Sequence, residues 1–289
     1  MQAEQEQYLR KVAGKGQEMV QQMVQSLSSA LIYPEAGNVA TNEKLWDVYA
    51  SEWGKEAPWV VEMAATNRDG AVALDAVGDE WAPRAHTERV VDEWILSEVT
   101  PEARCCEIGS GGGRIAALVA PRVASLACCD VSAKMLARAE AALAGGAGAT
   151  SFHLVHGDAA PSDAGFGAGP RAYPPTMARG FDFVYCFDVM VHLDAHAMYR
   201  CLRRVESLLA DGGRAFVSTA NLKAPDGFAR FEKQSKYSVG GFFFVTPETV
   251  RVLADKAGLA VVRELDAPDA SNTYYNRDYL AILARKDAA

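Results

Sequence analysis

The stretch 103–113, Ala-Arg-Cys-Cys-Glu-Ile-Gly-Ser-Gly-Gly-Gly, constrains what this chain can fold into more than any other. Cys105, Cys106 and Ile108 are small or apolar and close a short run bounded by Pro101, the pattern of a buried parallel strand. Gly109, Gly111 and Gly113 follow at spacing two, and Ile115, Ala116, Ala117, Leu118 and Val119 then open a helix. Strand, glycine turn and helix N-terminus bring backbone close to a bound ligand, because glycine has no Cβ and tolerates positive φ. A dinucleotide fingerprint would place Gly or Ala at position 114. Arg114 stands there, with a side chain that obstructs the close helix–strand packing a third glycine permits, and an acid, Glu107, occupies the strand tip.

From residue 103 onward strand and helix patterns alternate, which implies a parallel sheet covered on both faces. Strands are expected at 124–129, ending at Asp130, and at 152–156, ending at Gly157-Asp158-Ala159. Further strands are expected at 181–187, 214–219, 261–265 and 279–283. Ser132 reads as the cap of a helix over 133–143 that Gly145-Gly146 stops, and further helices are expected over 195–210 and 246–258. Residues 1–30 read as a helix with Tyr8, Val12, Met19, Met23 and Leu27 roughly on one face. Residues 160–180, rich in Pro, Gly and Ala, read as a long surface insertion, and 224–241 breaks the rhythm with mixed charge and aromatics. The fold class expected is α/β: a seven-stranded, mostly parallel sheet with an antiparallel last strand. An N-terminal helical cap would cover 1–98, and 99–289 would form the ligand-binding domain with an insertion at about 223–245.

Glu107-x-Gly109-x-Gly111-x-Gly113 resembles the first motif of the class I, Rossmann-like S-adenosylmethionine-dependent methyltransferases. The resemblance implies that Glu107, Gly109, Ser110, Gly111 and Gly113 hold the methionine portion and ribose of S-adenosyl-L-methionine, with Val131 and Phe187 beside it. Asp130, at a strand end, can accept both ribose hydroxyls or simply cap the following helix. Met135 is placed either to pack on adenine or to fill the core. Asp158 resembles the residue that takes the adenine amino group, with Ala159 supplying backbone. Phe181-Asp182-Phe183-Val184 and a histidine beyond the strand also resemble the family. They place Asp188 and His192 where the transferable methyl would meet its acceptor, His192 being either a general base or structural.

All five tryptophans precede the glycine turn. Such density is either a packing layer or a pocket lining. Trp46-Asp47-x-Tyr49-Ala50 resembles the N-terminal element with which many of these enzymes cover their cofactor, so Trp46, Tyr49 and Trp53 are candidates for lid and acceptor contacts. Arg230, Lys233, Lys236 and Tyr237 beside Phe242, Phe243 and Phe244 suit a small anionic acceptor, or else a solvated charged face. The expected reaction is methylation of a small carboxylate, with a thioether sulfur as acceptor because it has no proton to lose. Methylthio-hydroxybutyrate, a thioether methylated by similar enzymes, is the kind of acceptor expected. The alternatives are oxygen or nitrogen methylation with His192 as base, and a non-catalytic cofactor-binding regulator.

A net charge of -8 argues against a nucleic-acid backbone or an anionic membrane surface as partner. No apolar run approaches the roughly 20 residues that span a bilayer. The acidic start lacks the basic and apolar regions of a signal peptide. None of the six cysteines forms a Cys-x-x-Cys pair. They read as small buried hydrophobes, with a metal or redox site from the two vicinal pairs as the lesser reading. The expectation is a reduced, cytoplasmic protein without a metal; nothing in the sequence sets its oligomeric state.

Overall fold

The computed structural model describes residues 39–67, 74–146, 148–155, 172–234 and 241–286. The helix expected over 1–30, most of the 160–180 stretch, Asp158, Ala159, Lys236 and Tyr237 lie outside the described residues.

Seven strands form one sheet: β1 (Arg104–Ile108), β2 (Ser125–Asp130), β3 (Ala149–Leu154), β4 (Phe181–Cys186), β5 (Leu209–Ala220), β6 (Leu259–Glu264) and β7 (Asp278–Arg285). Their order is β3-β2-β1-β4-β5-β7-β6. The first five are mutually parallel, and β7 pairs antiparallel with both β5 and β6. The chain steps outward from β1 to β3, then returns to lay β4 on the other side of β1. That reversal opens a crevice above the carboxyl ends of β1 and β4, where ligands bind in open α/β sheets.

Alternation along each strand feeds two apolar layers. On β4, Val184 and Cys186 pack with Leu202, Val205 and Leu208 of α6 (Ala195–Leu208). Phe183 and Tyr185 face the opposite layer, with Val119, Trp94 and Phe216. Strands buried on both faces read as near-continuous apolar runs, and for that reason they were visible in the sequence. Side-chain caps start the long helices at the same edge of the sheet. Ser132 Oγ accepts from Met135 N at 3.1 Å to begin α5 (Ala133–Leu143), and Asp194 accepts from Ala197 N at 2.9 Å to begin α6. The remaining helices are α1 (Val39–Glu52), α2 (Pro58–Asn67), α3 (Arg84–Val90), α4 (Ala116–Val119), α7 (Pro225–Lys233), α8 (Pro247–Lys256) and α9 (Thr273–Arg277).

Three expectations need correction. The end of the 160–180 stretch is not surface: Tyr173 and Met177 are buried in the α6-side layer, where a 3-10 turn at Pro175–Met177 folds the chain inward. The irregular 224–241 stretch contains α7, started by Pro225. Its Phe228 and Phe231 are exposed, so no buried apolar stripe announced it. β5 begins at Leu209 and runs through Asp211-Gly212-Gly213, ahead of the strand expected at 214–219 and overlapping the end of the helix expected over 195–210.

Candidate functional site

A cavity occupies the crevice above β1 and β4, roofed by α1. Its floor is the glycine turn. Gly109 has φ +76, and a Cβ there would lie 2.4 Å from Val189 Cγ2, so the loop after β4 packs directly on its backbone. Gly111 has φ +52, and a Cβ there would meet nothing within 4 Å because the residue faces the cavity. Gly113 does not line the cavity; it lets α5 approach, with Ala139 Cα 3.0 Å from where its Cβ would be. Between these glycines Ser110 Oγ is buried without a hydrogen-bond partner among the described residues.

Two carboxylates stand at the strand ends. Glu107, 1% exposed, accepts a hydrogen bond from Tyr185 OH at 3.2 Å. Burial pushes its carboxyl well above the usual range, against the Tyr185 hydrogen bond. A cation beside it would reverse that. Asp130 accepts from Gly111 N and from Ser132 N, each at 2.8 Å. Burial raises its pKa to about 6 despite these two bonds. Each of its oxygens keeps a lone pair for a further donor. Val131, Met135 and Phe187 line the same cavity; Met135 packs with Trp46, Val77 and Ala50, so it belongs to both the lining and the core.

The loop after β4 carries Asp188 and His192, both on the cavity wall. Asp188 sits in the left-handed region at φ 59, its N–H donating to Ser218 Oγ at 2.9 Å. Its carboxylate pairs with Arg277 at 2.8 Å and Arg114 at 3.6 Å. Burial alone would raise its pKa, but the two guanidiniums outweigh that and hold it below the usual range. Arg277 is itself clamped by Asp278 at 2.6 Å. Such a carboxylate fixes the loop and is poorly disposed to take a proton. The His192 ring is sandwiched edge-on between Trp46 and Phe242, with centroids 5.1 and 5.3 Å away. Burial lowers its pKa to about 4, against the pull of Asp188, so the imidazole is neutral near pH 7.

The tryptophan-rich element divides. Trp46 lines the cavity, whereas Tyr49 and Trp53 do not; both bond to the buried carboxylate of Glu80. Trp81 donates to Tyr49 OH at 2.9 Å, which completes a polar knot behind the cavity wall. The polar atoms of Tyr49 and Trp53 need partners when buried, and the Glu80 carboxylate supplies them away from the cavity. Asp47, between Trp46 and Tyr49 in sequence, accepts from Ser132 Oγ at 2.6 Å and Lys134 N at 3.3 Å, at the N-terminus of α5. Arg138 donates to the carbonyls of Ala50 and Trp53 at 2.6 and 2.8 Å, holding the last turn of α1. Arg230 is outside the cavity lining, but its guanidinium lies 3.9 Å over the Phe242 ring that meets His192.

Arg114, Glu80, Arg138, Arg277 and Asn42 were not read as site residues. Arg114 had a signal in its place directly after the glycines; the others are defined by partners far away in sequence.

Open space at Gly111, the unpartnered Ser110 Oγ, the cation-seeking Glu107 and the hydroxyl-ready Asp130 fit an adenosyl cofactor with an amino-acid end. A family model for a methyltransferase domain matches residues 61–264. Among solved structures, the magnesium protoporphyrin IX methyltransferase of Synechocystis PCC 6803 with bound SAH is similar at 18% identity and TM-score 0.56, over 85% of this chain and 100% of that one. The [4+2]-cyclase SpnF is similar at 15% identity and TM-score 0.59, over 89% of this chain and 98% of that one. The PH0226 protein of Pyrococcus horikoshii OT3 follows at 15% identity and TM-score 0.53, over 73% and 97%. These likenesses are of fold. No curated protein matches the chain.

Proposed function

Because the chain belongs to the class I, Rossmann-like S-adenosylmethionine-dependent methyltransferases, we propose that it methylates a small carboxylate-bearing acceptor, with a thioether sulfur as the methylated atom. The enzyme class and its cofactor follow from membership. The observation that carries the acceptor is the pairing of a neutral, weakly basic His192 with a cationic Arg230 across the Phe242 ring. A positive charge behind the wall favours an anionic acceptor, and the wall itself supplies no strong base.

When bound, the cofactor supplies a methyl group on a sulfonium, already activated for transfer. Glu107 holds the ammonium of its amino-acid end, Gly109, Ser110 and Gly111 its backbone-facing edge, and Asp130 its ribose hydroxyls. Met135 and Val131 would cover the adenine, and the family resemblance assigns its amino group to Asp158 and Ala159, which follow β3 in sequence. Arg230 supplies the positive charge that favours the carboxylate, while Trp46 presents an aromatic ring on the cavity wall. Such a ring stabilises a sulfonium product by about 0.5–2 kcal/mol. α1 roofs the cavity and excludes water. Alignment of the acceptor supplies the catalysis, worth roughly 7–11 kcal/mol when complete.

The test is methyl incorporation from labelled cofactor into thioether carboxylates such as methylthio-hydroxybutyrate. His192→Ala should keep kcat within about threefold, whereas Arg230→Ala should raise KM at least about tenfold. A rate that rises with pH and disappears in His192→Ala would instead identify an oxygen or nitrogen acceptor deprotonated by His192.

A further inference from the structure

Asn42 lies in the first turn of α1, 4% exposed, with its side chain on the cavity wall. Its Nδ2 donates to the carbonyl of His192 at 2.9 Å. That bond settles the orientation of the amide, since an oxygen there would face another oxygen. Oδ1 is therefore fixed as an acceptor, and among the described residues it has no hydrogen-bond partner. The roof helix thus brings one oriented, desolvated acceptor atom against the loop that ends in His192. Buried polar atoms are satisfied in the overwhelming majority of cases, and those that are not call for a ligand or an ordered water. Nothing in the reading of the cofactor uses this atom: Glu107, Ser110 and Asp130 lie at the ends of β1 and β2.

We propose that Asn42 is a specificity-determining residue whose Oδ1 accepts a hydrogen bond from a hydroxyl or amine N–H of the methyl acceptor. The acceptor class then narrows to molecules that carry such a donor in addition to the anionic group, a hydroxy acid or an amino acid rather than a simple fatty acid. The asymmetry of hydrogen bonding makes this discriminating. An analogue without the donor leaves the carbonyl oxygen buried and unpaired, and sites of this kind reject such analogues far more strongly than pockets reject a missing methylene. The inference rests on the proposed acceptor class, but its own test separates the two.

The experiment compares methylthio-hydroxybutyrate with methylthiobutyrate, which differ by one hydroxyl, in the wild-type enzyme and in Asn42→Leu. The wild type should favour the hydroxy acid by about tenfold or more in kcat/KM, and the variant should bring that ratio to within about twofold of one. A general loosening of α1 would slow both substrates alike and leave the ratio intact. An unchanged ratio in the variant, or none in the wild type, overturns the assignment. If the wild type methylates neither compound, the acceptor class above has failed, and a crystal structure of the wild type with S-adenosylhomocysteine decides for Asn42. Oδ1 opening onto free space beside the sulfur supports the assignment; Oδ1 engaged by the cofactor, by a side chain or by a water locked among protein groups overturns it.

Discussion

At the scale of single residues, two glycines of one turn do different work. Gly109→Ala drives a Cβ into Val189 at 2.4 Å and strains a backbone at φ +76. It should lower stability by at least the roughly 1–2 kcal/mol of a left-handed non-glycine residue. Gly111→Ala bears the conformational strain without the clash, but its methyl enters the cavity. Urea unfolding should therefore find Gly109→Ala the less stable, while cofactor titration should find Gly111→Ala impaired beyond its loss of stability. The acids set a pH dependence of definite sign. Burial raises Asp130 to about 6, so in the free protein its contribution to stability is full below its unfolded pKa and is lost as pH rises through about 6. A ligand that donates to the carboxylate favours the ionised form. Affinity for S-adenosylhomocysteine should fall on acidification below about pH 6, approaching tenfold per unit, and Glu107, raised for the same reason, acts in the same direction. Titrations at several pH values check this; an affinity that improves in acid contradicts it.

At the scale of elements, α1 is joined to α5 by complementary ends. The Asp47 carboxylate meets the N-terminal dipole and N–H groups of α5, and Arg138 meets the C-terminal carbonyls of α1. Asp47→Ala combined with Arg138→Ala should release α1 while leaving the sheet intact. Amide exchange within 39–52 should then speed up at least about tenfold, with β1 and β4 unaffected, and KM for the cofactor should rise. Unaltered exchange in α1 would show that aromatic packing alone holds the roof. The sequence disclosed the strands, the capped helices α5, α6 and α8 and the acids at the ends of β1 and β2, because each is a local pattern. It did not disclose α7, whose aromatic residues face outward, or α9, which is a short helix capped by Asn272. The clamp on Asp188 was hidden for another reason. Arg114 and Arg277 reach it from opposite sides of the chain, and only the sheet order brings them together. The Glu80 knot that engages Tyr49 and Trp53 is hidden likewise, because its members stand 27 and 31 residues from the acid.

At the scale of the whole molecule, the reversal of strand order beside β1 places Glu107, Gly109, Ser110, Gly111, Asp130, Val131 and Met135 in one crevice, and α1 closes it. The fold alone leaves the chemistry open, as its likeness to a [4+2]-cyclase shows; the crevice's charges and open spaces carry the functional reading. No helix among the described residues is long and apolar enough to cross a membrane. The central claim is that this crevice binds an adenosyl cofactor through Asp130. Calorimetric titration of the wild type and Asp130→Ala with S-adenosylhomocysteine, and of the wild type with NAD, tests it most directly. The wild type should bind S-adenosylhomocysteine and ignore NAD, and the variant should lose about 1.5–3 kcal/mol, the worth of hydrogen bonds to a charged group. Binding of NAD, or an Asp130→Ala affinity equal to that of the wild type, would contradict it.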